Sequence, residues 1–347
     1  MSQESTQRVP EARLRRFTER VLGAMGVPAA DAAVVADCLL MANLSGVDSH
    51  GVVRLAHYVA RLGNGTLDPL PDIVFRRSGP SAGMLDGGDG LGHVVMLRAC
   101  VEAMAMARES GVGVVGVANS SHFGMTAFYI QRLVSEGFIG LAMTDTDAFL
   151  IPFGGRKAFF GTNPIAIGFP TQGIPVILDM ATTSIPYGKI ALAKAEGRPI
   201  PADWGLNAEG HPTTDPNAIA GLHPIAGPKG SGLAMMIDIF CSVLTGMPWG
   251  PNIPKMYEDL EQPRQLGHFV MAIDTQRFMA LELFKARLDD MLAAYHEVPP
   301  AEGYERLYYP GELEGLRLRE RRANGIPIDP GLYEELRGLG ERLGVEL

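Results

Sequence analysis

The segment Asp48-Ser49-His50-Gly51-Val52-Val53-Arg54 carries the residue types that acid–base chemistry on a carboxylate would use. In the first turn of a helix, with Ser49 as its N-cap, His50 would meet the positive end of the helix dipole. That field disfavours imidazolium and keeps the ring neutral or poised. Arg54 follows four residues later, so on a helix its guanidinium emerges on the same face as the imidazole. A proton-transfer group beside a planar, two-pronged clamp is the pairing a carboxylate substrate needs. A helix-capping His and a surface Arg would have the same spelling, and the segment alone leaves both readings open. Ser120-Ser121-His122-Phe123-Gly124 sets a second imidazole between an apolar strand pattern and the next helix, a junction that often faces ligands in α/β folds. Gly161-Thr162-Asn163-Pro164 and Asp179-Met180-Ala181-Thr182-Thr183 also put polar residues beside strand patterns, although Thr, Asn and Asp serve turns as well.

Two glycine-rich segments bear on phosphate binding. Gly111-Val-Gly113-Val-Val-Gly116 spells a dinucleotide fingerprint, but a working fingerprint follows a strand and opens a helix. Here a helical pattern ends near Ser110 and the glycines lead into a strand, so Gly111 is expected to be a helix C-cap. Gly227-Pro228-Lys229-Gly230-Ser231-Gly232 lacks the order of a phosphate-binding P-loop. A lysine ahead of a helix starting near Gly232 nevertheless suits an anion, because free N–H groups there carry partial positive charge. A Gly-rich cap with a solvated lysine is the competing reading. The other histidines show no metal-ligand spacing, and no metal site is expected. Cys38, Cys100 and Cys241 have no C-x-x-C spacing and read as small buried hydrophobes.

The elements that must position these groups follow from apolar periodicity. Leu14, Phe17 and Val21 mark one helix, Val34, Cys38 and Met41 a second, and Val52, Leu55, Ala56, Val59 and Leu62 a third. Gly63-Asn64-Gly65 and Pro69, Pro71 and Pro80 then mark a boundary. Beyond it, helices over about 94–104 and 125–134 alternate with strands at 112–117, 138–143, 158–160, 165–169, 175–178 and 269–273. Residues 230–244 read as one buried helix. After Phe278 the pattern is helical again, on Leu281, Phe284, Leu288, Met291 and Tyr295 and then on Leu332, Leu336, Leu339 and Leu343. Helix, mixed sheet, helix suggests that the two ends pack together as one lobe.

A chain of 347 residues holds two or three domains at about 150 residues each. With 46% hydrophobic and 20% charged residues the composition is that of a folded globular protein. A net charge of −9 argues against nucleic acid and anionic membrane surfaces, which require basic patches. Residues 1–16 contain no apolar signal core, and the longest apolar stretch, 230–247, is interrupted by Asp238. A cytoplasmic protein is expected.

Taken together, Asp48-Ser-His-Gly-Val-Val-Arg54, Ser121-His-Phe-Gly124, Pro152-Phe-Gly-Gly155, Gly161-Thr-Asn-Pro164, Asp179-Met-Ala-Thr182, Gly227-Pro-Lys-Gly230 and Tyr309-Pro-Gly311 occur in order over nearly the whole chain. This set resembles the type-2 malate/L-lactate dehydrogenase family, which includes ureidoglycolate, sulfolactate and diketogulonate dehydrogenases or reductases and cyclic-imine reductases. The resemblance implies an α/β fold with a non-Rossmann, mixed-sheet nicotinamide-binding domain (residues 76–280). A helical lobe (1–75 plus 281–347) would complete it, with the active-site cleft between them. It implies a homodimer that uses NAD, or NADP, to oxidise a small 2-hydroxy acid of the malate/lactate or ureidoglycolate type, with imine or keto-sugar-acid reduction as the alternative. By position His50 and His122 are the implied proton-transfer residues, Asp179 a catalytic residue that orients a histidine or contacts cofactor, and Arg54 with Ser49 the substrate contacts. Thr146, Thr162, Asn163, Asp179, Met180, Ala181, Lys229, Pro310, Gly311 and Glu312 are the implied cofactor contacts. Ser121 stands where many members carry Asn, so the branch of the family stays open.

Overall fold

The computed structural model describes residues 7–347. Ten helices, α1 (Glu11–Ala24), α2 (Ala29–Leu44), α3 (Leu55–Gly63), α4 (Gly92–Ser110), α5 (Thr126–Ser135), α6 (Tyr187–Ala195), α7 (Pro228–Asp238), α8 (Leu281–His296), α9 (Glu312–Asn324) and α10 (Pro330–Leu343), surround the strands among the described residues. The strands are β1 (Gln7–Val9), β2 (Val74–Arg77), β3 (Ala82–Asp86), β4 (Val112–Ser120), β5 (Phe138–Thr144), β6 (Ile165–Phe169), β7 (Val176–Met180), β8 (Gly205–Asn207), β9 (Ile219–Leu222), β10 (Leu266–Asp274) and β11 (Ile326–Ile328).

Seven strands form one mixed sheet in the order β2-β3-β4-β10-β5-β6-β7. Only β3 and β4 run parallel; every other neighbouring pair is antiparallel. This is the mixed α/β architecture expected, and not the parallel sheet of a Rossmann fold. The register has a functional consequence. Leu266 at the start of β10 pairs with Ser120 at the end of β4, and His268 pairs with Thr144 at the end of β5. Met180 at the end of β7 pairs with Ile165 at the start of β6, next to β5. The carboxyl ends of β4, β5 and β7 therefore open at one sheet edge, together with the residues just before β10. His268 rivets that edge: its Nε2 lies 2.8 Å from Ser120 Oγ and its Nδ1 2.7 Å from Thr144 Oγ1, all buried.

The main core forms where α4 and α5 pack on the sheet, through Val95, Ala99, Ala103, Ile130 and Leu133 against Val115, Val117, Ala142 and Val270. Gly111 ends α4 in the left-handed conformation (φ 89°), the C-cap expected of it, and β4 follows directly. A second core draws on both chain ends: Leu14, Phe17 and Val21 of α1, Leu39 and Leu40 of α2, and Leu336 and Leu339 of α10. β1 pairs with β11 across the same region. The three cysteines are free and buried. No helix of the described residues is long and apolar enough to cross a membrane.

Several local expectations fail for identifiable reasons. The third helix begins at Leu55; ahead of it lie two 3-10 turns, Asp48–His50 and Val52–Arg54, split by an extended Gly51 (φ −87°, ψ −151°). Residues 158–160 make only an isolated bridge, Leu150 with Phe160. The helix expected from Gly232 starts at Pro228, with proline in its first turn, and passes into a π-helical stretch at Ile239–Val243. It is not buried all round. Met235, Met236, Ile239, Phe240, Val243 and Leu244 are each at least 40% exposed. The other face, Ile237 and Cys241, packs on Met143 and Phe269.

Candidate active site

A cleft of about 1000 Å³ lies over the sheet edge where β4, β5 and β7 end, walled on the other side by α2, the 3-10 turns and α9. His50 enters it from a loop held at both ends. Asn43 Nδ2 donates to Asp48 Oδ1 (2.8 Å), Asn43 Oδ1 accepts from Val52 N (2.9 Å), and Arg321 of α9 donates to both Asp48 oxygens (2.8 and 3.0 Å). A Cβ at Gly51 would lie 2.1 Å from Asn43 Oδ1, so the turn closes only with glycine there. Helix α9 thus fixes a side chain that sits more than two hundred and fifty residues earlier.

Ser49 does not cap a helix. Its Oγ lies 3.0 Å from His50 Nδ1, and its carbonyl accepts from Arg54 Nε (2.7 Å). Arg54 is therefore brought beside His50 by a hydrogen bond across Gly51, not by helical spacing. With Nε engaged, the two Nη groups are left for a ligand, and the guanidinium carbon stands 5.8 Å from the Tyr257 ring centre.

His122 follows β4 on a loop anchored by Ser121, whose Oγ accepts from Gly92 N and donates to Gly90 O (both 2.9 Å). Its ring stacks on His50 with centroids 5.9 Å apart and planes 24° from parallel. Tyr58 Oη lies 2.7 Å from His122 Nδ1, and Gly124 N–H donates weakly to the same nitrogen (3.4 Å). An amide N–H can only donate, so Nδ1 is an acceptor and the neutral ring carries its proton on Nε2. Both imidazoles are half-buried in the cleft wall, and both titrate low. Burial, then the charge of Arg54, pushes His50 down to about 4. Burial, then Arg54 and His50, drives His122 well below its ordinary value. At neutral pH this part of the cleft presents two uncharged imidazoles beside the Arg54 guanidinium.

Along the rest of the cleft, Thr146, Thr162, Asp179, Met180, Ala181, Pro310 and Gly311 all line the wall. Thr162 N donates to Thr146 Oγ1 (2.9 Å), tying the loops after β5 and before β6. Asp179 contacts no histidine. Its Oδ2 accepts from Ala127 N (2.7 Å), so it closes the first turn of α5 from a neighbouring strand, and the expectation that it orients an imidazole is corrected. Three expected cofactor contacts are not brought to the wall. Asn163 is buried, accepting from Thr146 N (3.1 Å) and donating to Ala234 O (3.1 Å). Glu312 is buried between Arg306, His296 Nε2 (3.0 Å) and Tyr309 N (3.2 Å). Lys229 is exposed on the first turn of α7.

A family model described as malate/L-lactate dehydrogenase matches residues 9–337. The chain belongs to that family. Malate dehydrogenase of Pyrococcus horikoshii is 38% identical over 98% of this chain and 96% of its own length. Ureidoglycolate dehydrogenase (NAD(+)) of Escherichia coli K12 is 35% identical over 93% of each. The structure of sulfolactate dehydrogenase from Methanocaldococcus jannaschii superposes with a TM-score of 0.91 at 35% identity, covering 98% of both chains.

Within this family framework, four residues that sequence reasoning missed complete the cleft: Tyr58, Asn43, Arg321 and Arg264. Tyr58 had a usable signal, since it lies one turn after Arg54 on α3 and is a buried aromatic with a polar tip. Asn43, a buried amide in the mostly apolar last turns of α2, was a second. Arg321 and Arg264 had none, because their partners lie more than a hundred residues away.

Proposed function

We propose that the chain is a cytoplasmic NAD(P)-dependent dehydrogenase that moves a hydride reversibly between C2 of a small 2-hydroxy acid and nicotinamide. The observation that carries this reading is the meeting of two neutral imidazoles with a guanidinium whose two Nη groups are left for a ligand. The cofactor fits the residues present. The long cleft has room for a dinucleotide, and its wall beyond the histidines offers the hydroxyls of Thr146 and Thr162, the apolar Met180 and Ala181, and the Pro310-Gly311 turn. Arg132 and Arg319 also border it and suit the phosphates. Bound there, nicotinamide supplies the two-electron acceptor at C4.

The chain's own groups do the rest. Arg54 grips the C1 carboxylate through its Nη groups and so fixes which face of C2 is presented. His122, protonated on Nε2, donates to the C2 oxygen and stabilises the charge that forms on it. His50, neutral, accepts the hydroxyl proton during oxidation and returns it during reduction. Burial is the larger cause of the low imidazole values and Arg54 the second; substrate binding neutralises Arg54, so the bound acid makes imidazolium easier to form.

The same reading takes residues 1–75 and 281–347 as the helical lobe, 76–280 as the cofactor-binding part, and a second copy as the cover for the exposed apolar face of α7. Initial rates with L-malate, L-lactate, sulfolactate, ureidoglycolate and a cyclic imine, each with NAD(H) and NADP(H), test it. Turnover of at least one 2-hydroxy acid is the expected result; turnover of the imine alone, or of none, overturns it.

A further inference from the structure

Arg61 and Arg264 are both almost fully buried, 1% and 2% exposed, yet they are used differently. All three nitrogens of Arg61 are engaged. Nε donates to His57 Nε2 (3.2 Å), Nη1 to Gln262 O (3.0 Å), and Nη2 to Met256 O (2.9 Å) and Asp259 O (3.2 Å). Arg61 is a clasp that fixes the 255–262 segment against α3. That segment in turn sets Tyr257 against the His57 ring (5.4 Å) and Arg54.

Arg264 makes one bond, from Nη2 to Asp147 Oδ1 (2.7 Å); its Nε and Nη1 have no partner. It stands just before β10, at the sheet edge where His122 and Thr146 also emerge, and it borders the cleft. A buried guanidinium with two idle donors is costly, and such an arrangement persists where a ligand completes it. The surroundings are not already anionic. Asp147 is paired with it, Glu258 is paired with Lys255 (2.5 Å), and burial raises the Asp145 carboxyl to about 8, which leaves it neutral at pH 7. Arg54 and Arg264 both border the cleft and present two cationic points along it.

We infer that Arg264 is a specificity-determining residue that receives a second acidic group, a distal carboxylate or sulfonate, so that the preferred substrates are dianionic 2-hydroxy acids. This rests on the function proposed above, with Arg54 holding the C1 carboxylate. A monoanionic acid would leave the idle donors of Arg264 unanswered.

The test compares L-malate with L-2-hydroxybutyrate, which replaces the distal carboxylate by a methyl group, in the parent and in Arg264→Gln and Arg264→Lys. The parent is expected to favour malate by roughly 10- to 150-fold in kcat/KM, the range for one charged hydrogen bond. Arg264→Gln should erase that preference while 2-hydroxybutyrate turnover stays within about threefold of the parent. Arg264→Lys should restore part of it. Retained 2-hydroxybutyrate turnover also shows that the variant is folded. A parent without the preference, or a Gln variant that loses both acids equally, overturns the inference and leaves the proposed function standing. Calorimetric binding of malate to the cofactor-free protein separates the two. Binding lost in Arg264→Gln without turnover in the parent would support Arg264 and defeat the dehydrogenase reading.

Discussion

Replacing Arg54 by lysine keeps the charge and removes the geometry, and the structure says what that costs. Arg54 Nε donates to Ser49 O at 2.7 Å, which ties it to the loop carrying His50, while the Nη groups are left for the substrate carboxylate. A lysine has one ammonium group and cannot both hold Ser49 and grip a carboxylate at two points. At least one charge-assisted hydrogen bond is lost, about 1.5–3 kcal/mol, or roughly 10- to 150-fold in kcat/KM. The assay is initial-rate NADH formation with a 2-hydroxy acid and with its amide, in the parent and in Arg54→Lys. The amide should suffer a similar loss in the parent and little further loss in the variant, because both changes remove one interaction. NADH affinity should stay within about twofold. Fully additive losses would show that Arg54 and the carboxylate do not meet, and the substrate orientation would have to be abandoned.

Other outcomes follow from the same geometry. His50→Ala and His122→Ala should each lower kcat by roughly 10²–10⁴-fold with circular dichroism unchanged; near-normal turnover in both removes the proton-transfer scheme. Tyr58→Phe releases His122 Nδ1, so kcat should fall by about tenfold or more with KM little altered, and an unchanged kcat would contradict the tautomer argument. His93 and His268 are fully buried and burial pushes each down to about 3, far below the unfolded value of 6.5. The unfolded chain then binds more protons as pH falls through 6.5, so stability falls as pH drops, by about 1.4 kcal/mol per histidine from about pH 7.5 to 5.5. Urea midpoints that do not move over that range would refute this. Phe240→Asp with Leu244→Asp should convert a dimer to a monomer in light scattering, and an unchanged dimer mass would place the partner elsewhere.

Much of the sheet was legible because β4, β5, β6 and β10 are apolar runs with turn residues at their ends. The short strands β1, β2, β3, β8, β9 and β11 were not, since none of them holds more than two consecutive apolar residues. The site's residue types were readable, but the local geometry was not. His50 and Arg54 meet through a backbone carbonyl and a glycine pressed against Asn43, and no periodicity rule reports a tertiary contact of that kind. Asp179, Asn163 and Glu312 show the converse. Each sits in a polar motif, and each is engaged in holding loops and helix ends together. The apolar run over α7 reads as interior from composition, although half of it lies on the surface.

The central claim is direct hydride transfer from C2 of a 2-hydroxy acid to nicotinamide. A substrate deuterated at C2, turned over with NAD or NADP and followed by mass spectrometry and NMR of the reduced cofactor, tests it most directly. The account predicts one deuterium at nicotinamide C4 for each oxo acid formed, none of it exchanged with water. Oxidation with deuterium released to solvent, or no cofactor reduction with any 2-hydroxy acid, would contradict it.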